Sequence, residues 1–292
     1  MKVAYVSVSG AQTPLFMADA IGAFKQQNLN VDIQFIEANV AVKALIAKEV
    51  DVILQAAAAV LTADLNGNAD LVYVGSAYNH SQFAMLVNSS IKTPDDLKGK
   101  LLGTDKPGTT VDYNARQLLQ LMNLSLNDVQ QRPLGTTDIL LPALLSGQVA
   151  AVPLSVPQSF TAEAGGYHIL KDSYDQPYQS VGVVTSRTRI DELTPALLRF
   201  FPAYRQGMQA FNQQPDLAKK LIGQYTKTTD QTVIDKSYDF YKNQTPFQED
   251  LQPTVEGIQK MADFLGDTIV PSAKGVKAEQ FIDRRVLNQL KF

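Results

Sequence analysis

Ala44-Leu45-Ile46-Ala47-Lys48-Glu49-Val50-Asp51-Val52 returns later in the chain as Ala143-Leu144-Leu145-Ser146-Gly147-Gln148-Val149-Ala150-Ala151. Each copy reads as a short helix with its apolar residues on one face, a tight polar corner, and a β-branched run typical of a buried strand. Upstream the correspondence continues. A strand at 2–8, a polar loop and a helix at 14–27 match a strand at 101–105, a Gly-Thr loop and a helix at 109–122. One supersecondary unit is used twice, so the sequence describes two similar α/β lobes. Two facing lobes make a cleft, and clefts between domains are where small ligands bind.

The chain has 292 residues, enough for two domains that each bury a core. Apolar residues make up 45%, charged residues 19%, and the net charge is -3. No basic cluster stands out, which argues against nucleic acid as a partner, because phosphate binding needs a concentrated basic face. No apolar run approaches the ~20 residues of a membrane span. Met1-Lys2-Val3-Ala4-Tyr5-Val6 already reads as a strand, with no signal-peptide core before it, so a mature exported form or a cytoplasmic protein is expected. The absence of cysteine removes disulfides, thiolate metal sites and thiol nucleophiles together.

Strands and helices alternate with short connections, the pattern of parallel βαβ sheets. The first lobe has expected strands at 2–8, 31–36, 51–54 and 71–77, with helices at 14–27, 40–48 and 57–66. An extended crossing at 83–87 follows, then a surface linker at 88–98 with one helical turn at 93–97. The second unit runs from 100 to 172, with strands at 101–105, 130–134, 149–154 and 167–170. A second extended crossing at 178–186 leads back, and from 188 the pattern is helical, clearest at 193–212, 216–225, 231–242 and 255–265. Lobe 1 is thus expected from 1–83 and 182–292, lobe 2 from 88–177. The helical tail buries its apolar faces on lobe 1. Two crossings make a hinge that bends without unwinding either lobe.

The chemistry lies in the loops that open the helices. Ser9-Gly10-Ala11-Gln12-Thr13-Pro14 ends the first strand, with Thr13 a good N-cap and Pro14 a good first helical residue. Pro107-Gly108-Thr109-Thr110-Val111-Asp112 stands at the equivalent place in the second lobe, where Gly135-Thr136-Thr137-Asp138 and Ser155-Val156-Pro157-Gln158 follow later strands. The carboxyl edge of a parallel sheet is where ligands bind, and helix starts offer unpaired N–H groups and positive dipole ends. Ser and Thr cap helices everywhere, so the argument rests on the number of these loops and their equivalent placement. Asp112 has two readings: it completes a cap with Thr109, or it accepts a hydrogen bond from a ligand. Tyr78, Tyr113, Phe160 and Tyr178 are candidate ring platforms, although each type of residue is more often core.

Metal binding and nucleophilic catalysis have little support. His80 and His168 are isolated, outside any H-x-x-x-H spacing. His168 reads as a strand-end residue, whereas His80 falls close to the first crossing and could face a cleft. No G-x-S-x-G, Walker A or G-x-G-x-x-G sequence is present. No cofactor and no metal are expected.

Several stretches together resemble the nitrate/sulfonate/taurine-type substrate-binding proteins of bacterial ABC importers, a group that also includes thiamine-pyrimidine-binding proteins and related synthases. They are Pro14-Leu15-Phe16-Met17-Ala18, Gly22-Ala23-Phe24, Asn28-Leu29-Asn30-Val31, the unit from Ala44 to Val52, Thr93-Pro94-Asp95-Asp96-Leu97-Lys98-Gly99-Lys100 and Gly108-Thr109-Thr110. The likeness extends to Pro253-Thr254-Val255-Glu256-Gly257-Ile258-Gln259 and Phe281-Ile282-Asp283. It implies a two-lobe, type II periplasmic-binding-protein-like fold and hinged capture of a small ligand. It also implies a periplasmic mature form and membrane subunits of an importer as partners, with a monomer expected. The helix-corner glycine usual in this group is Lys48-Glu49 in the first copy, while Gly147 keeps it in the second. The synthase branch carries a cysteine-rich motif that this chain lacks, which counts against an enzyme. Carried over by resemblance, the ligand contacts fall on Ser9, Gln12, Thr13, Gln55, Tyr78, Asn79 and His80 in the first lobe. Gly108, Thr109, Thr110, Asp112, Thr136, Ser155 and Gln158 follow in the second, with Tyr178 beside the hinge. A sulfonate, nitrate or carboxylate suits converging helix starts. The scarcity of cations, Lys106 and Arg116 aside, leaves room for a planar heterocycle such as a thiamine-precursor pyrimidine. A ligand-sensing domain of a regulator is disfavoured, because no DNA-binding helix pair is expected before the first strand.

Overall fold

The computed structural model describes residues 1–67, 69–135 and 137–291. In chain order the elements are β1 (Lys2–Tyr5), α1 (Thr13–Ala20), α2 (Ala23–Gln26), β2 (Asp32–Phe35), α3 (Ala38–Ile46), β3 (Val52–Gln55), α4 (Ala57–Leu65), β4 (Leu71–His80) and β5 (Phe83–Val87). They continue as β6 (Leu101–Thr104), α5 (Thr110–Leu121), β7 (Gln130–Pro133), α6 (Thr137–Leu145), β8 (Ala151–Ser155), α7 (Gln158–Ala164), β9 (His168–Asp172) and β10 (Pro177–Ser186). The rest is helical: α8 (Ile190–Gln213), α9 (Pro215–Thr226), α10 (Gln231–Asp239), a π-turn at Phe240–Gln244, and α11 (Val255–Thr268). Residues 1–80, 177–228 and 238–292 form one compact unit, and residues 81–176 with 229–237 form a second. Residues 229–237 therefore leave the helical tail that the sequence places wholly on the first lobe.

The first unit holds a five-stranded sheet in the order β2-β1-β3-β10-β4. Its strands β1, β2 and β3 run parallel, and β10 is antiparallel to both β3 and β4. Helix α1 packs on α8, α2 on α8, and α11 on β10 and α4. The second unit repeats the plan in the order β7-β6-β8-β5-β9, with β5 antiparallel to β8 and β9. Its core gathers Phe83, Met85, Val87, Leu102, Leu118 and Leu119.

The stretches at 83–87 and 178–186, expected as extended crossings, are internal strands of these two sheets. Every residue of β5 is buried, and ten-residue β10 is buried along nearly its whole length. The run of consecutive apolar residues in β5 has both faces covered in the interior of a sheet, so the composition that marks an extended crossing also fits a central strand. Each sheet is consequently mixed rather than all parallel. The expected helix at 14–27 is also divided, because Gly22 takes φ 72 between α1 and α2.

The sequence repeat is a structural repeat down to its corner. Ala44 and Ala143 are buried, Leu45 and Leu144 are fully buried, and so are Val50 and Val149. Ile46 and Leu145, next in line, are 43% and 46% exposed. Both helices end in the same two bonds. Lys48 N donates to the Leu45 carbonyl and Glu49 N to that of Ala44, matching Gly147 N to Leu144 and Gln148 N to Ala143. This closure needs a left-handed residue after the helix, and Lys48 supplies it at φ 61 where Gly147 has φ 72. A side chain pays no contact penalty there but a backbone one, since an L-residue in this region is strained by about 1 kcal/mol.

Two substitutions test the corner. Lys48→Gly should stabilise the protein by up to about 1 kcal/mol, reduced by the extra freedom glycine gives the unfolded chain. Gly147→Ala should destabilise by about 1 kcal/mol through the backbone alone, because nothing lies within 4 Å of the added Cβ. Chemical denaturation of both variants measures the two signs.

Candidate functional site

Each unit presents its polar loops where parallel strands end and helices begin. In the first unit, β1 runs out into residues 6–9, and a short 3-10 turn at Gly10–Gln12 leads directly into α1. Ser9, not Thr13, performs the capping: its Oγ accepts from Ala11 N at 3.2 Å. Gln12 is already helical when α1 starts, so Thr13 has no N-cap conformation to fill, and its hydroxyl donates back to the Gly10 carbonyl at 2.6 Å. Gln12 is almost wholly buried; its Nε2 donates to Ser7 Oγ at 3.3 Å, and its Oε1 has no partner. Reversal of the amide would let Ser7 donate to the oxygen and leave the NH2 as the unpartnered end, so this buried side chain can offer a donor or an acceptor. Gly10 keeps the loop low against the π-turn, since a Cβ there would collide with the Tyr241 ring.

At the end of β3, Gln55 is buried and spans two elements. Its Nε2 donates to the Ala38 carbonyl at 3.2 Å, and its Oε1 accepts from Ala56 N at 3.3 Å. The end of β4 is tied down more heavily. Tyr78 is fully buried among Tyr241 and Phe247, with its hydroxyl donating to Thr245 Oγ1 at 2.7 Å, so it is a core residue and not a ring platform. Tyr178 is equally buried. Asn79 donates from Nδ2 to the Gln252 carbonyl at 2.7 Å and accepts from Ser76 Oγ at 2.6 Å. His80 is half-buried with an unpartnered Nδ1, and burial holds its imidazole below the usual histidine range, leaving it neutral at pH 7.

In the second unit, Thr109 is the N-cap of α5. Its hydroxyl accepts from Asp112 N at 3.3 Å and donates to the Lys106 carbonyl at 2.9 Å. Asp112 is buried and doubly used, with one oxygen taking Gly108 N–H at 2.9 Å and the other Arg116 Nε at 2.9 Å. The capping reading of Asp112 therefore describes the geometry, and the Arg116 charge is committed to it. Ser155, at the end of β8, donates to Gln158 Oε1 at 3.0 Å across the start of α7. Gly108 and Thr110 flank the Thr109 cap on the same loop, half-buried. Thr136 lies outside the described residues. Tyr113 is buried with its hydroxyl pushed up to about 12 by desolvation, and Phe160 carries Lys236 Nζ 5.9 Å above its ring.

Two buried polar groups escaped the sequence reading. In the second unit Ser81 bonds both Asn114 Oδ1, at 3.0 Å, and Ser173 Oγ, at 2.7 Å, while Asn114 Nδ2 donates to the Thr110 carbonyl. In the first unit Gln179 joins Ser76 Oγ at 2.7 Å to the Thr254 amide at 3.0 Å. A signal did exist for Asn114, a polar residue on the helix face that also carries Ala115 and Leu118 inward. Among the described residues no three His, Asp or Glu side chains gather as a metal site, and no helix is long and apolar enough to cross a membrane.

The architecture has many solved counterparts. The periplasmic aliphatic sulphonate-binding protein SsuA of Escherichia coli superposes with a TM-score of 0.79 at 21% identity, covering 97% of this chain and 91% of that one. The alkanesulfonate-binding protein SsuA of Xanthomonas axonopodis pv. citri, bound to MOPS, gives 0.75 at 19% identity, with 99% and 96% covered. A DszB variant in complex with biphenyl-2-sulfinic acid gives 0.73 at 14% identity, with 99% and 98% covered. These likenesses establish a two-lobe, type II periplasmic-binding-protein-like fold. No curated protein matches the chain by sequence. The family described as NMT1/THI5 like matches residues 10–218, well over half of the sequence and including the 3-10 turn before α1, the α5 cap and both copies of the repeat, and the chain belongs to that family.

Proposed function

We propose that this protein is the solute-binding component of an ABC importer, capturing a small organic anion of the sulfonate type between its lobes by hinge closure. One observation carries the reading. The same strand order is built twice, and in each copy serine- or threonine-capped helix starts stand at the carboxyl ends of parallel strands, at Ser9 to Thr13 and at Gly108 to Asp112. A ligand that touches both sets of loops stabilises the closed form, because only there are both sets of contacts made. Ser9, Gln12, Thr13, Gln55, Asn79 and His80 would supply one side; Gly108, Thr109, Thr110, Thr136, Ser155 and Gln158 the other. Asp112 and Tyr78 serve by holding these loops. The protein would act as a monomer outside the cytoplasmic membrane and hand its ligand to the membrane subunits.

Sulfonate is favoured within this class because helix-start amides and neutral hydroxyls and amides can surround a spread-out single charge without a cation. Two relatives of the fold are named for sulfonates and a third holds a sulfinate. A planar pyrimidine is the second reading, supported by the unpartnered Gln12 Oε1, which could accept from a ring amine. An enzyme on this scaffold is disfavoured by the absence of cysteine and of a paired histidine.

Thermal melts with ethanesulfonate, nitrate and a thiamine-precursor pyrimidine separate the ligand readings. A true ligand at a hundredfold excess over its Kd adds roughly 2.7 kcal/mol and raises the melting temperature by several degrees. A response to the pyrimidine alone would replace the sulfonate reading. Small-angle scattering with the responding compound should show a smaller radius of gyration; an unchanged radius at saturation would sink hinged capture. Recovery of that compound chemically intact after long incubation is also expected.

Cap and contact separate by mutation. Thr109→Ala should cost about 1 kcal/mol of stability, because its hydroxyl is engaged on both sides within the loop. Gln12→Ala should weaken binding by threefold to tenfold, the effect of losing one neutral hydrogen bond. Calorimetric titration and melts on the same samples distinguish the two effects.

A further inference from the structure

The outer edge of the first sheet carries a cluster that solute capture leaves unused. Ile33 and Phe35 share one face of edge strand β2, with Tyr5 beside Phe35 in register. Phe16 of α1 meets Tyr5 edge-on, centroids 5.0 Å apart and planes at 90°. Tyr225, at the end of α9, lies flat on Phe16 at 3.4 Å and 2°, and Phe35 tilts against Tyr5 at 5.3 Å and 59°. With Asp19, one turn along α1 from Phe16, these rings line a pocket of about 250 Å³ wholly within the first unit. Phe35 is 53% exposed, and Asp19 is exposed at the rim. No described side chain pairs with the Asp19 carboxylate.

Shape and charge together decide what fits. A flat aromatic ligand needs two parallel ring faces held apart by about twice the ~3.5 Å contact distance, and the parallel pair here is already closed. The rings stand at several orientations and share the pocket with the Asp19 carboxylate, a lining whose π systems and negative charge both favour a compact cation. The volume lies below the ~300 Å³ at which sites for drug-sized ligands begin, so the occupant is a small head group. Both phenols stay neutral: burial and then the Asp19 charge push the Tyr225 hydroxyl up, and burial and then Tyr225 do the same to Tyr5.

We propose that this pocket binds a small organic cation of the alkyl- or quaternary-ammonium class, with the Tyr5, Phe35 and Tyr225 rings as cation–π partners and Asp19 as counter-charge. Choline and its uncharged carbon isostere, 3,3-dimethylbutan-1-ol, differ at one atom and test it directly. In NMR titrations of the whole protein, choline should shift the Phe35 and Tyr225 ring signals saturably, with the alcohol at least tenfold weaker. Asp19→Asn should weaken choline several-fold and Tyr225→Leu roughly threefold to thirtyfold. Asp19 and Phe35 are exposed, so Asp19→Asn and Phe35→Leu keep the fold, which circular dichroism checks. Equal affinity for the alcohol, an unchanged affinity in Asp19→Asn, or no saturable shift overturns the proposal. So does a dimer in sedimentation that Phe35→Glu dissolves, because a second copy would then be what covers the rings.

Discussion

The insertion of β10 between β3 and β4 is the constraint on which the first unit depends. Without it, β4 has no neighbouring strand in the sheet, and only helix packing such as α1 on α8 would join the two separated stretches of chain. The pairing runs from Pro177 opposite His80 to Ser186 opposite Leu71, interrupted by register shifts that let a ten-residue strand follow a twisted partner. Tightness is visible at Gly182, where any side chain would strike the Tyr73 ring. Directly opposite Gly182 in the register, Ser76 joins Gln179 and, through it, the Thr254 amide in a buried polar network. Such a network rigidifies only when its members are satisfied, and here it fixes the end of the sheet from which Asn79 and His80 project.

The proposed ligand loops are built from bonds that look like recognition chemistry but are largely spent on architecture. Asp112 uses both oxygens within four residues, Thr109 uses its hydroxyl twice, and Ser155 is turned onto Gln158. What such loops retain for a ligand is the helix-start positive potential and the amides held in place by those caps. Gln12 stands apart because half of its amide is buried and unpaired.

The fold was readable because its decisive signal was internal. Ala44 to Val52 against Ala143 to Ala151 predicts two like units, and the matched exposures of Ile46 and Leu145 show how literally that repeat holds. Strand β5 misled because its unbroken apolar run, Phe83 to Val87, carries period neither of two nor of 3.6; it announces burial without saying among which neighbours. The division at Gly22 lay within reach, since glycine in mid-helix is a standing candidate for a left-handed turn. The site was legible as loops but not as bonds. Thr13 and Ser9 are interchangeable as caps in sequence, and only the 3-10 turn that precedes α1 transfers the role to Ser9. Tyr78 was indistinguishable from a ligand-stacking ring until its hydroxyl met Thr245, far along the chain.

The discontinuous first unit also couples its completion to the folding of the stretch that interrupts it. Residues 81–176 interrupt it, and their ends are neighbours, with Ser81 N bonded to the Gln176 carbonyl at 3.0 Å. Were this stretch disordered, bringing β10 beside β4 would mean closing a loop whose length-dependent entropy is on the order of 4 kcal/mol. Once the intervening unit has folded, its clasped ends deliver Pro177 next to His80 with that closure already made. A folded 81–176 stretch thus lowers the entropic cost of completing the first sheet, so damage to its core would be felt in a sheet that contains none of its residues.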